Sequence, residues 1–367
     1  MTTLGVEEEY LLLDERGVPT PRSEAVLAAA GRTSTAPEGS LQKELLAVQV
    51  EVATPVCTTL ADVREHLCSL RGDLAQAARR SGCLLAPVAA APVVGDGEEV
   101  PVSDVPRYRD MLRQAPALVE EQLINGMHVH VGVPDRATGL RVVAGVRAWL
   151  PLLLAISANS PFWRGRDSGF ASWRGVHFAR WPAEGPPPVL GSVEEYEEVV
   201  EALLATGAVR DRGQLYWHAR LSDHLPTVEV RVADVQLDVD TAVLLAGLVR
   251  ALADTALLPP SPANEPAGNE PAVNEPSSEL LRAATWQAAR WGLDGDLVDP
   301  RRWRAVPARE ALETLVDHVR PALEAAGDLD EVEGLLHRVL ECGTGAARQR
   351  AAVESNGLRG LLDLLTL

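Results

Sequence analysis

Lysine is nearly absent from this sequence. Lysine and arginine together number 34, yet Lys43 is the single lysine, so arginine supplies almost all fixed positive charge. A phosphate-binding loop of the G-x-x-x-x-G-K-[ST] type needs a lysine behind glycines. Lys43 sits in SLQKELL, which offers none, and that loop is excluded. A pyridoxal Schiff base would need the same lysine in an unsuitable setting. Cysteine is scarce too. Cys57, Cys68, Cys83 and Cys342 form no C-x-x-C pair, so neither a disulfide framework nor a zinc knuckle is expected. Reduced thiols in a cytoplasmic protein are the expectation. Aromatic residues are only 4%, which leaves the interior to aliphatic side chains. Positive charge is outnumbered, with a net charge of -18 and a pI near 4.9. Such a surface repels phosphate backbones and argues against nucleic-acid partners. It leaves room for one nucleotide in a locally cationic pocket. No basic segment followed by an apolar stretch stands at the start, so no secretory signal is expected. The most apolar segment, Val146–Ile156, is read as too short to span a bilayer and carries Arg147, so no membrane is expected.

What is present is alternation. Four segments read as strands by a period of two: Leu4–Leu13, Leu46–Thr54, Gly126–Val133 and Thr227–Val235. Helices are expected at Ser23–Ala30, Leu60–Ala78, Arg141–Ala158 and Ser192–Thr206. More follow at Ser278–Trp291, Ala308–Ala325, Leu329–Leu340 and Ala346–Asn356. Strands and helices without strict β-α alternation imply an α+β fold. The expected organisation is one domain over 1–367. A strand-rich part covers 1–258, a low-complexity loop 259–277 and a helical part 278–367. The loop repeats x-x-N-E-P three times, and proline at that density forbids regular pairing.

The four strands share one design. Glu7 and Glu9 fall on the face opposite Val6, Glu8 and Tyr10; Gln49 and Glu51 lie opposite Val48, Val50 and Val52. His128 and His130 lie opposite Met127, Val129 and Val131, and Glu229 and Arg231 opposite Val228, Val230 and Val232. If the strands share a sheet, one face is branched aliphatic and the other is a polar floor of carboxylates, imidazoles and a guanidinium. Crowded carboxylates raise one another's pKa, and a divalent cation relieves them. Oxygen donors with one imidazole suit magnesium or manganese. An arginine beside them suits phosphate or carboxylate. Taken singly, each pair has a plainer reading: a solvated strand face, satisfied buried histidines, a structural ion pair. The coincidence of all four favours a metal-bearing site.

GVEEEY, ELLAVQVEVATPVC at 44–57, NGMHVHVGV at 125–133 and SANSPFWRGRDSGFASWR at 157–174 occur in that order. LPTVEVRVADV at 225–235, ARWGLDGDLVDP at 289–300 and GTGAARQR at 343–350 follow. Together they resemble the type 2 glutamate–cysteine ligases, or carboxylate–amine ligases, over nearly the whole chain. The resemblance implies the glutamine synthetase and guanido kinase fold: a curved, mainly antiparallel sheet forming a funnel, with helices outside. It implies ATP with Mg2+ or Mn2+. The implied metal ligands are Glu7, Glu9, Glu51, His128 and Glu229, joined by Glu44, and Arg231 is the implied phosphate contact. Strand parity sets Glu44 on the wrong face, so a bulge or strand start must intervene. Gln49, His130, Arg164 and Arg174 are further candidates for substrate or nucleotide contact, alongside Trp163, Trp173, Arg348 and Arg350. The implied reaction joins a glutamate-like carboxylate to an amine through an acyl phosphate, in a homodimer by the same resemblance.

Two rival readings compete. In a metal-dependent hydrolase of the amidohydrolase type, His177, His218 and His224 would complete a zinc site around H-x-H. Alternatively, a non-catalytic homologue keeps the fold and binds a nucleotide or amino acid.

Overall fold

The computed structural model describes the chain apart from residues 1, 33, 35, 36, 38, 96–99 and 259–275. The N-E-P loop thus lies almost wholly outside the described residues. The strands are β1 (Leu4–Leu13), β2 (Leu41–Lys43), β3 (Gln49–Ala53), β4 (Leu84–Ala86), β5 (Gly126–Gly132), β6 (Phe162–Trp163), β7 (Arg166–Asp167), β8 (Ala219–Leu221), β9 (Thr227–Asp234), β10 (Asp296–Asp299) and β11 (Arg304–Pro307). One open sheet runs β2-β3-β1-β5-β9-β8, with β4 beside the far end of β1. Its strand pairings among the described residues are antiparallel. The long β1 divides its second edge, giving Leu4–Glu8 to β5 and Leu11–Leu13 to β4.

The valine stripe turns one face of this sheet toward helices. Val6, Val129, Val131, Val228, Val230 and Val232 are buried in one cluster that reaches to Val339 near the end of the chain. Helix Val239–Leu257 is the centre of that layer. It contacts β1 and β5 on one side and helices Arg136–Val146, Ala308–Ala326 and Leu329–Cys342 on the other. Its residues are buried almost all round, so the sequence shows no polar face to betray its period.

Some expected boundaries shift. The run Arg136–Ser157 is long and apolar enough to cross a membrane, longer than the sequence reading allowed, and 78% of its most apolar stretch is buried within the protein. It is helix Arg136–Val146, a tighter turn at Arg147–Trp149, and helix Leu150–Ser157. Pro151, which lacks an N–H, sits in the first turn of the second helix, where no donor is needed. Arg147 is buried, its guanidinium donating to the carbonyls of Pro187 and Pro276, each at 2.6 Å. The last helix runs to Leu365, with a break at Asn356 and Gly357 where the expected helix stopped.

Glu8 faces the aliphatic side and would be costly alone. Arg71 grips it bidentately, Nη2 to Oε1 at 2.5 Å and Nε to Oε2 at 2.9 Å. Tyr10 donates its hydroxyl to the same carboxylate at 2.5 Å, and Arg71 also donates to the carbonyl of Gln236 at 2.9 Å. This closed network fixes helix Leu60–Arg80 across β1.

Candidate active site

The register of the sheet assembles the polar face. Glu7 pairs with His128, Glu9 with Glu51, and His130 with Glu229. These six side chains, from four strands, therefore meet on one side, where they line a cavity of about 980 Å3. The ladder between β5 and β9 contains an irregularity. Met127 pairs with Ala233 but Val129 with Val230, so Arg231 and Val232 together oppose His128. A bulge of this kind re-aims a side chain. Here Arg231 Nη1 comes to 3.5 Å from His128 Nδ1 and donates to Glu229.

The distances within the cluster are short. His128 Nδ1 lies 3.1 Å from Glu7 Oε2 and 3.7 Å from Glu229 Oε1, and His128 Nε2 lies 3.7 Å from Glu9 Oε1. His130 Nε2 is 3.4 Å from Glu7 Oε1, while its Nδ1 is 2.9 Å from Thr227 Oγ1. Arg220 Nε donates to Glu229 Oε2 at 2.8 Å.

Burial and charge split the carboxylates into two kinds. Burial opposes ionisation of Glu229, but Arg231 and then Arg220 overcome it and hold its pKa far below the usual carboxylate range. Burial likewise works against Glu7, and hydrogen bonds to His128 and His130 hold it well below 4.5. Glu44 and Glu51 behave oppositely. Burial and the neighbouring Glu9 push Glu44 up to about 7. Burial, Glu7 and Glu44 push Glu51 well above the usual range. His128 is pressed below 6.5 by burial and by Arg231, which leaves a neutral ring with a lone pair to give.

This donor set fits a divalent cation. Among the described residues, Glu7, His128 and Glu229 form the group of metal-ligating side chains whose donor atoms all lie within 4.8 Å of one another. Glu9, Glu44 and Glu51 line the same cavity outside that compact group. The two raised carboxylates are short of positive charge, and hard oxygen donors suit magnesium or manganese.

Glu44 reaches the cavity because β3 starts at Gln49 rather than at Leu46. Lys43 ends β2, and residues 44–48 turn between the two paired strands. The parity conflict thus disappears, since Glu44 is not on the ladder. Gln49 is buried, donating Nε2 to the carbonyl of Ile124 and to Asn125 Oδ1, both at 2.9 Å. Arg174 is also buried, and its guanidinium donates to the carbonyls of Val232 at 3.2 Å and Arg231 at 3.1 Å. A side chain at Gly126 would collide with Arg174, since a Cβ there would sit 2.4 Å from Nη2. Glycine at 126 therefore lets Arg174 pass beneath the bulge.

The structure does not bring Arg164 to the cavity. It lies on the turn between β6 and β7, half exposed, and pairs with Glu121 at 2.7 Å. Trp163 and Trp173 pack in a second core cluster, which gathers Leu11, Leu45, Leu46, Val48 and Ile124 on the face of β1 opposite the valine cluster. Arg348 and Arg350 are tied to Asp238 and Asp167, joining the last helix to the body. His177 binds the carbonyl of Glu121 and His218 binds Glu184, so neither joins His128 and His130. His224 lines the cavity but stands outside the compact donor group, so among the described residues the zinc arrangement of the hydrolase reading is not assembled. Sequence reasoning missed Arg220, on a three-residue strand too short to show alternation. It also missed Arg107, Tyr108 and Tyr216, which reach the cavity from loops and a short helix.

The model of glutamate–cysteine ligase family 2 matches residues 3–360. A Saccharopolyspora erythraea protein provisionally named glutamate–cysteine ligase 2-1 is 47% identical over 349 residues, 95% of this chain and 89% of that protein. A Rhodococcus jostii protein of the same provisional name is 43% identical over 365 residues, covering 99% and 95%. Among solved structures, the glutamate–cysteine ligase of Francisella tularensis in complex with AMP superposes with a TM-score of 0.69 at 14% identity, covering 99% of this chain and 87% of that one. The bifunctional glutathione synthetase of Pasteurella multocida gives 0.66 at 15% identity, covering 99% of this chain and 51% of that one. These two share the fold of the open sheet and its helices. With the family model spanning almost every residue and close relatives aligned end to end, the chain belongs to glutamate–cysteine ligase family 2.

Proposed function

We propose that this protein is an ATP-dependent carboxylate–amine ligase. It activates a glutamate-like side-chain carboxylate as an acyl phosphate and passes the acyl group to an amine, with cysteine as the nominal acceptor. The observation that carries the reading is the convergence of Glu7, Glu9, Glu51, Glu229 and His128 on one sheet face beside Arg231. Family membership and the names of the relatives support the same chemistry.

In this reading Glu7, Glu9, Glu51, His128 and Glu229, with Glu44, hold Mg2+ or Mn2+. Such cations, when bound, neutralise charge on phosphate oxygens as a phosphoryl group transfers. Glu229 stays ionised because two guanidinium groups face it. Arg231 projects from the bulge and stabilises the transferring phosphoryl group, a role worth on the order of several kcal/mol of barrier. The substrate carboxylate attacks the γ-phosphorus of ATP, ADP leaves, the amine attacks the acyl carbon, and phosphate departs with an amide formed. Phe178, Trp181 and Tyr216, packed ring against ring, wall the cavity and limit water around the acyl phosphate. In this reading the chain works as one catalytic unit, which is supported by core clusters shared between the sheet and the C-terminal helices. The reading is completed by a cytoplasmic location, where ATP is supplied, and by a homodimer, which light scattering tests.

The experiment is ADP release with MgATP, glutamate and cysteine, followed by a panel of other carboxylates and amines. ADP release that needs metal, carboxylate and amine together is expected. ADP release independent of the carboxylate, or none across the panel, contradicts the reading.

A further inference from the structure

Beside Arg231 lies a second, small space of about 10 Å3, distinct from the main cavity. Its lining includes Arg231, Glu184, His218 and Thr285. Three polar atoms of those side chains are buried without a hydrogen-bond partner: Arg231 Nε, His218 Nδ1 and Thr285 Oγ1. Unpaired buried polar atoms are uncommon, and each costs about 1–3 kcal/mol. Three around one void call for a common partner.

The chemistry identifies that partner. A space of about 10–15 Å3 with two to four polar neighbours is what one water requires. Arg231 Nε–H can only donate, and a water oxygen accepts from it. Glu184 Oε1 sits 2.7 Å from His218 Nε2. A carboxylate only accepts, so Nε2 carries the proton of that bond and Nδ1 remains to pair. The hydroxyl of Thr285 serves in either sense. The His218 ring itself is buried, and Glu184 beside it is largely shielded from solvent. The backbone strengthens the arrangement: Arg231 N–H donates to the His218 carbonyl at 2.8 Å, and His218 N–H to the Gly185 carbonyl at 2.8 Å.

We infer that Glu184, His218 and Thr285 position Arg231 through one internal water. Arg231 is then held at both ends. Nη1 meets Glu229, and Nε meets the water. The guanidinium plane is fixed before any substrate arrives, which is what stabilising a transferring phosphoryl group demands. Three segments far apart in sequence contribute: the loop holding Glu184, the approach to β8, and helix Ser278–Trp291. The helical C-terminal part thereby reaches the active site. The inference rests on the proposed role of Arg231 in phosphoryl transfer, and the test separates the two.

The first arm is a crystal structure resolving ordered water. One water within hydrogen-bond distance of Arg231 Nε, His218 Nδ1 and Thr285 Oγ1 is expected. A dry space, or those atoms paired directly with protein groups, overturns the inference. The second arm measures ADP release with MgATP, glutamate and cysteine for Thr285→Val, His218→Leu, Arg231→Lys and the Arg231→Lys/Thr285→Val double variant. Thr285→Val removes one hydroxyl at equal volume. It is expected to lower kcat by about tenfold with the KM for ATP within about twofold, without lowering the melting temperature. Thr285→Ser restores most of the loss. Arg231→Lys lacks the Nε–H, so adding Thr285→Val to it costs nothing further. Retained kcat in both Thr285→Val and His218→Leu, beside a large loss in Arg231→Lys, refutes the positioning while leaving the ligase reading intact. Retained kcat in Arg231→Lys refutes both the positioning and the role of Arg231 in phosphoryl transfer.

Discussion

Replacing Glu44 with glutamine changes how stability depends on pH, in a direction the site dictates. In the cation-free protein, burial and Glu9 move the Glu44 pKa from 4.5 to about 7. At about 1.4 kcal/mol per pKa unit, that displacement corresponds to roughly 3 kcal/mol. The folded state holds a proton on Glu44 between pH 4.5 and 7 that the unfolded state has released. Stability from this group therefore falls as pH rises through that window and levels off above 7. Glu51, also raised, acts in the same sense. Other groups act oppositely: burial presses His177 and His318 each down to about 4, so they favour folding as pH rises toward 6.5. The two histidine contributions are common to both proteins and cancel in the difference, whereas Glu51, raised in part by Glu44, relaxes in the variant and adds to its gain as pH rises. The assay is urea unfolding of the wild type and Glu44→Gln in EDTA at pH 5, 6, 7 and 8. The variant is expected to gain on the wild type by about 2–3 kcal/mol between pH 5 and 7, with little further change at pH 8. Repeating the series in saturating Mg2+ should shrink the gain, because bound cation compensates the charge that the variant lacks. A difference that does not vary with pH would refute the view that Glu44 is buried among other carboxylates.

The other consequences concern single side chains. Glu229→Gln removes the carboxylate facing Arg220 and Arg231; ADP release should fall by at least about 10³-fold while the circular dichroism spectrum stays native. Arg71→Met breaks the buried grip on Glu8 and should cost about 3–5 kcal/mol in urea unfolding, whereas Arg71→Met with Glu8→Leu should cost less than the single change. Arg164→Ala should leave ADP release within about twofold, since the side chain is engaged with Glu121 outside the cavity; a large loss would mean that the β6–β7 turn reaches the substrate. Gly126→Ala should lower kcat, as the new methyl group pushes Arg174 off the carbonyls of Arg231 and Val232.

The sequence was most readable where burial alternates cleanly. β1 was expected at Leu4–Leu13 and runs over those residues, and the ends of β5 and β9 differ by one residue from the expectation. Each pairs a valine stripe with an acidic or imidazole stripe, so parity alone put Glu7, Glu9, His128, His130, Glu229 and Arg231 on one face. Parity failed at Glu44 because the apolar residues Leu45, Leu46 and Val48 pack into the second core cluster instead of extending the strand. No local pattern announces a turn there. Helix Val239–Leu257 escaped because it is buried almost all round, Arg250 included, so apolar residues occupy most of its circumference and mark its period only weakly. Arg220 escaped for the opposite reason: β8 is three residues long, and its importance comes from pairing with Glu229 across the sheet. The bulge that turns Arg231 toward His128 depends on the register of two strands a hundred residues apart, which no single stretch of sequence records.

A crystal of the protein soaked with Mn2+ and a non-hydrolysable ATP analogue, read by anomalous scattering, bears most directly on whether the sheet's polar face is a cation site. Peaks bonded to Glu7, His128 and Glu229, with the analogue's terminal phosphate beside Arg231, are expected. Nucleotide bound in the cavity with no anomalous peak at those side chains, or with every peak elsewhere, would contradict it.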